Sequence, residues 1–115
     1  MASHLGEEVF WCPSYGFNVT KAKRILTLKP RPASEVDVAA LIPGSVGVRI
    51  DRQHAMTTDL TAPIILVQVE DPKTGDWLRI LIDGHHRLYR AAREGVVKLP
   101  AYLLTPNESL AVRVS

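Results

Sequence analysis

The sequence holds a single cysteine, Cys12, in 115 residues. One thiol excludes an internal disulfide and any zinc site built from several cysteines. Cys12 reads more simply as a small half-buried apolar side chain than as a nucleophile. Long apolar runs are also missing. The longest, Ala62 to Val69, is interrupted by Pro63 and Gln68. A bilayer span needs about 20 apolar residues, so no membrane partner is expected. The opening residues MASHLGEEVFW lack the basic start and apolar stretch of a secretory signal. With the lone thiol, this gives the expectation of a reducing cytoplasm. Charge of one sign is scarce too. Fourteen basic against twelve acidic residues leave a formal charge of +2, too little to announce a nucleic-acid partner by itself.

What is present is ordinary globular composition, 46% apolar and 23% charged. It excludes a disordered chain, a collagen and a coiled coil. The length predicts one domain over 1–115, with an irregular N-terminal segment over 1–20 and a motif-bearing core over 60–105. Arg24 to Leu28 reads as a short β-type run, stopped by Pro30 and Pro32. Ser34 to Leu41 reads as a short helix with Ser34 as N-cap. Residues 46–60 have no clear period. Pro63 to Glu70 is a nearly continuous β-branched run, typical of a central strand. Trp77 to Ile82 predicts its hairpin partner, with Trp77 in core or hairpin packing. His85 to Glu94 has helical spacing at Leu88, Ala91 and Ala92, with Gly95 as its stop. Val97 to Thr105 returns as a strand, and Pro100 hints at an edge.

The chemistry concentrates where strand meets helix, at Asp83-Gly84-His85-His86-Arg87. A helix start exposes unpaired N–H groups and the positive end of the dipole, which together attract anions. Gly84 allows dihedrals and close approaches that other residues cannot make. Arg87 offers two donors to a phosphate, and His85 or His86 a donor or a proton carrier. Such a cluster reads as a phosphate cradle. An N-cap at Asp83, a tight turn at Gly84 and two solvated histidines would account for the same residues. Adjacent histidines on a helix project about 100° apart, so a shared metal ion is not expected.

Ile82 to Ala92, followed by Gly95 and Leu99-Pro100-Ala101-Tyr102, resembles the ParB/sulfiredoxin superfamily, in its stand-alone Asp-Gly-His-His-Arg form. Pro63-Ile64-Ile65-Leu66 resembles that family's strand before the motif. The likeness covers about 60–105 well and 24–42 loosely. It implies an α+β domain, a small mixed sheet with helices packed against it. It also implies that Gly84 and Arg87 hold nucleotide phosphates and that His86 matches the sulfiredoxin histidine. His85 stands where sulfiredoxins carry their catalytic cysteine, so sulfinic-acid reduction is not expected. The helix-turn-helix domain of ParB partition proteins is not expected in this length either. Stand-alone relatives of this type include free-serine kinases and small plasmid proteins described as ATPases and DNases.

The leading expectation is a nucleotide-binding domain. Gly84, His85, His86 and Arg87 would hold phosphate, and His86 and Asp83 would be the catalytic candidates. ATP, ADP or another nucleotide with Mg²⁺ would be the ligand, with no haem and no zinc. Hydrolysis or phosphoryl transfer fits, because it needs mainly positioning and cationic charge. The alternative is a DNA-binding protein or nuclease. Lys21, Lys23, Arg24, Lys29 and Arg31 crowd five positive charges into eleven residues, and Arg90 and Arg93 follow on the predicted helix. Lys21, Lys23, Arg24 and Arg90 are the candidate contacts. A third reading is a non-catalytic partner or inhibitor module that keeps the fold. Arg49, Arg52 and His54 sit in the unassigned segment and read as loop residues, although the resemblance implies a connection that lines the ligand cleft; Glu7, Glu8, Asp51 and Asp59 are further candidates for a base or a Mg²⁺ ligand, without distinctive spacing.

Overall fold

The apolar run at 63–70 becomes the middle of a sheet buried on both faces. The computed structural model describes residues 6–12, 15–45 and 47–114. In chain order the elements are β1 (Val9–Cys12), β2 (Tyr15–Asn18), α1 (Val19–Leu28), β3 (Ser34–Asp37), α2 (Val38–Leu41), a 3-10 turn (Pro43–Ser45), α3 (Arg52–Ala55), β4 (Ile64–Glu70), β5 (Trp77–Asp83), α4 (His85–Glu94), β6 (Lys98–Leu103) and α5 (Pro106–Val112). The strands β3-β6-β4-β5 form one sheet, and β1 and β2 form a separate hairpin. β4 and β6 run parallel; the other pairs are antiparallel. The fold is therefore α+β, with a mixed sheet and helices packed against it. No helix among the described residues is long and apolar enough to cross a membrane.

Successive side chains of a strand point to opposite faces, and β4 uses both. Ile65, Val67 and Val69 join Phe17, Val19, Ala22, Leu104 and Val112 on the face covered by α1 and α5. Ile64 and Leu66 join Leu81, Leu88, Ala91, Leu99 and Ala101 on the face covered by α4. Beyond the last residues of β6, the side chain of buried Ser109 substitutes for a strand. Its Oγ accepts the Gln68 amide at 2.8 Å, and the Gln68 side chain donates to the Leu104 carbonyl at 2.9 Å.

Several expectations are corrected. Residues 24–28 are not a strand but the second half of α1. The helix starts earlier, at Val19, because the Asn18 side chain caps it by accepting the Lys21 amide. Val19 and Ala22, both fully buried, supply the helical period that the window at 24–28 misses. Residues 34–41 are not one helix. Ser34–Asp37 pairs with β6, and only 38–41 is helical, with Asp37 rather than Ser34 at the N-cap position. Pro100 does not mark an edge, since β6 lies between β3 and β4. The parallel register begins at the next residue, Ala101, so the missing proline donor costs that ladder nothing. Trp77 is not core: it is 55% exposed. The segment 1–20 is more regular than expected, holding β1, β2 and the start of α1. Its residues 1–5, 13 and 14 lie outside those described, as does residue 46 of the unassigned segment.

Two local devices close the structure. The first is at the β5–α4 corner. Gly84 sits at φ +107°, and a Cβ there would stand 2.4 Å from the Cγ2 of Ile64. Ile64 is fully buried and cannot yield. The second ties the segment after α1 to α5. Glu108 forms a capping box with Thr105 and takes both Nη groups of Arg31, at 2.5 and 2.8 Å. Arg31 also donates to the Leu103 carbonyl at 3.2 Å. The Arg31 bonds come first among the causes that hold the Glu108 carboxyl at about 2, below its usual 4.5, and the same bonds raise the Arg31 pKa.

A carboxyl with a lowered pKa stabilises the fold above its unfolded value and ceases to as pH falls through its folded value. Charge-assisted bonds of this kind contribute roughly 1.5–3 kcal/mol. In thermal melts from pH 7 to 2.5, Glu108→Gln should therefore be well below wild type at pH 6–7. The gap should close between about pH 4.5 and 2. A constant gap would refute the ionic contribution. At the corner, Gly84→Ala should cost at least twice what Gly95→Ala costs in urea denaturation. Gly95 also has positive φ (+72°) but open space around it, so its cost is the conformational one alone, about 1 kcal/mol. Equal losses would remove the steric role of Ile64.

Candidate functional site

One residue, Gly84, separates the end of β5 from the first turn of α4. Successive helical side chains diverge by about 100°, so the three that follow Gly84 leave in three directions. Arg87 turns towards α1. Its Nη1 donates to the carbonyls of Ala62 at 2.9 Å and Pro63 at 2.7 Å. Its Nη2 donates to Oδ2 of Asp83 at 3.0 Å. Lys23 of α1 places Nζ 3.9 Å from the same oxygen and 3.6 Å from Glu8. Asp83 and Arg87 are mostly shielded, with side chains 19% and 16% exposed, while Lys23 is half in solvent. These three side chains line an open cleft of about 460 Å³ with Thr27, Arg31 and Tyr102.

His86 turns to α3. Its Nε2 accepts the backbone N–H of Asp51 at 3.1 Å. An accepting ring nitrogen carries no proton, so this bond places the proton of the neutral ring on Nδ1. His54 meets the His86 ring edge-on, with centroids 4.9 Å apart. α3 exists because the Asp51 carboxylate caps it, accepting the His54 amide at 3.1 Å.

His85 takes the third direction. It stacks on Phe10 of β1 at 4.7 Å between centroids and 24° between planes. Both of its ring nitrogens are buried and make no hydrogen bond. Burial pushes its pKa below 6.5. The Leu81 carbonyl, close by without reaching good hydrogen-bond geometry, and the Asp83 charge act in the opposite sense; the His86 charge adds to the lowering.

The motif is therefore split. Asp83 and Arg87 share the cleft, while His85 and His86 are anchored elsewhere. Asp83 does not take the N-cap role: Gly84 holds that position, and no side chain caps the helix there. Gly84 is explained by its approach to Ile64 before any ligand is considered. Two of the candidate nucleic-acid contacts are tied within the fold. Lys21 donates to the Ala111 carbonyl of α5 at 3.0 Å. Arg90 is held by Glu94 at 2.9 Å and by the Thr58 carbonyl. Lys23 and Arg24 are exposed on α1. The residues that sequence reasoning undervalued are Asp51, His54 and Asp59. The Asp59 carboxyl lies below its usual pKa because the Thr61 hydroxyl and amide donate to it; Arg87 and Arg90 add weaker attraction. The Asp51 cap had a readable signal, an aspartate before a short polar run. The meeting of His54 with His86 had none, because it spans 32 residues.

No family model matches the chain, and no solved structure matches it. Over 74 residues it is 39% identical to an uncharacterized protein of Methanocaldococcus jannaschii. The aligned part covers 61% of this chain and 26% of that protein, so the likeness reaches about a quarter of the relative's length.

Proposed function

We propose that the chain binds a nucleotide or a related phosphate ligand in the cleft between α1 and the start of α4, as a ParB/sulfiredoxin-like domain. The observation that carries this reading is the convergence of Lys23, Arg31 and Arg87 on one cleft. Arg87 is locked by three acceptors, so its charge is positioned before any ligand arrives. Lys23, at 3.9 Å from Asp83, is more loosely held and free to move onto a phosphate oxygen.

Asp83 is the carboxylate among the described residues lining the cleft. In phosphoryl transfer it is the group suited to accept a proton from an attacking hydroxyl or water. His86, turned to α3 with its Nε2 taken by Asp51, stands outside this cleft and has no part in the reading. Mg²⁺ bound with a nucleotide is held chiefly by phosphates and water, with one or two carboxylates. Asp83 already faces two cations, so these residues suit a clamp of Lys and Arg better than a protein-built metal cage. Positioning and cationic charge are what such chemistry requires most.

Calorimetric titration with ADP and ATP tests the reading. Lys23→Ala, at an exposed position, should weaken binding about tenfold, the equivalent of about 1.4 kcal/mol. Arg87→Ala is the poorer probe, since it also frees the Ala62 and Pro63 carbonyls. Equal affinity in wild type and Lys23→Ala, or no binding in either, would overturn the proposal. Salt-sensitive DNA binding lost in Arg24→Ala, without nucleotide binding, would put the nucleic-acid reading in its place.

A further inference from the structure

Behind α4, away from the Lys23–Arg87 cleft, lies a second cavity of about 410 Å³. We propose that it binds a small monocarboxylate with a compact hydrocarbon body, such as a branched aliphatic or arylacetic acid. Its walls include Val48 and Ile50 from the segment before α3 and Leu88 from α4. These are half-buried or buried, although the 47–51 segment has no regular structure to hold it there. Three polar side chains share the same cavity: Arg52, His85 and Tyr89. Among the described residues, the Arg52 guanidinium and the Tyr89 hydroxyl make no hydrogen bond or ion pair. The two His85 nitrogens, both buried, likewise have no partner.

Buried polar atoms without partners are rare, because each forfeits its bonds to water. The two His85 nitrogens are closed off in this way, whereas the Arg52 guanidinium and the Tyr89 hydroxyl are open to the cavity and can donate to a ligand carboxylate. A cavity of this size with mainly apolar walls and a few converging polar groups is typical of small-molecule sites. The charge narrows the class. Arg52 is the cation on the wall, and its planar fork matches one carboxylate. Burial lowers the His85 pKa, so its ring adds no second charge to the wall. A phosphomonoester would bring nearly two negative charges against that single cation.

The probe is phenylacetate, titrated into ¹⁵N-labelled full-length protein and followed by amide shifts. Saturable shifts should appear at Ile50, His85, Leu88 and Tyr89, with none at Lys23. Arg52→Ala should weaken them at least tenfold, and phenylacetamide, which lacks the charge, should bind at least tenfold more weakly. Ala92→Phe fills the cavity from an exposed helix position and keeps every polar group; it should abolish the shifts while leaving the amide spectrum dispersed. No saturable shift in wild type, shifts centred on Lys23 and Arg87, or shifts unchanged in both variants would each overturn the proposal.

Discussion

The close approach of Gly84 to Ile64 is the contact on which the rest of the site depends. It brings the start of α4 onto β4 with no side chain between them. At that distance Arg87 reaches past the corner to the carbonyls of Ala62 and Pro63, which precede the strand. Helix, strand and loop thus fix one another within a few residues. Leu88 and Ala91, on the same helix, then fall into the apolar layer with Leu66, Leu99 and Ala101. A larger residue at 84 would lift α4 and lose both the arginine ties and that layer. Glycine is required here by packing, and any room it leaves for a ligand is secondary.

The small net charge conceals that several cations are committed within the fold. Arg31 is spent on Glu108 and backbone carbonyls, Lys21 on the end of α5, and Arg90 on Glu94 and Thr58. The basic run before residue 32 looks continuous in the sequence, yet a helix and a proline segment distribute it over separate neighbours. Isolated surface ion pairs contribute little. The Arg31–Glu108 pair differs because its partners are shielded, 20% and 13% exposed, and share a bidentate geometry. Lys23 is the member of the run that meets the motif, through Asp83.

How much was legible in the sequence follows from how local each signal is. β4, β5 and α4 were readable because their periods are complete and their ends carry Pro, Gly or turn residues. α1 was misread because its buried positions, Val19 and Ala22, precede the window that contains Ile25 and Leu26. α5 carried an overlooked signal, Thr105-Pro106-Asn107-Glu108, which combines a capping box with proline at the first turn. The motif itself was visible as a string of residue types, and its α+β setting was as expected. The directions of its side chains were not visible, because Asp51, Phe10 and Lys23 reach it from distant segments.

Those directions give the order His85-His86-Arg87 a physical meaning. Each step of about 100° serves a different neighbour: His85 serves Phe10 and the apolar cavity, His86 serves α3, and Arg87 serves β4 and the cleft. Exchanging Arg87 with either histidine would put a guanidinium against Phe10 or leave the Asp51 amide without its acceptor. The helix start thus divides two environments of opposite character. On one side, locked Arg87 and half-exposed Lys23 face Asp83 in a polar cleft. On the other, Val48, Ile50 and Leu88 wall a mainly apolar cavity. Gly84 is the corner between them, and movement of α4 there would be felt in each.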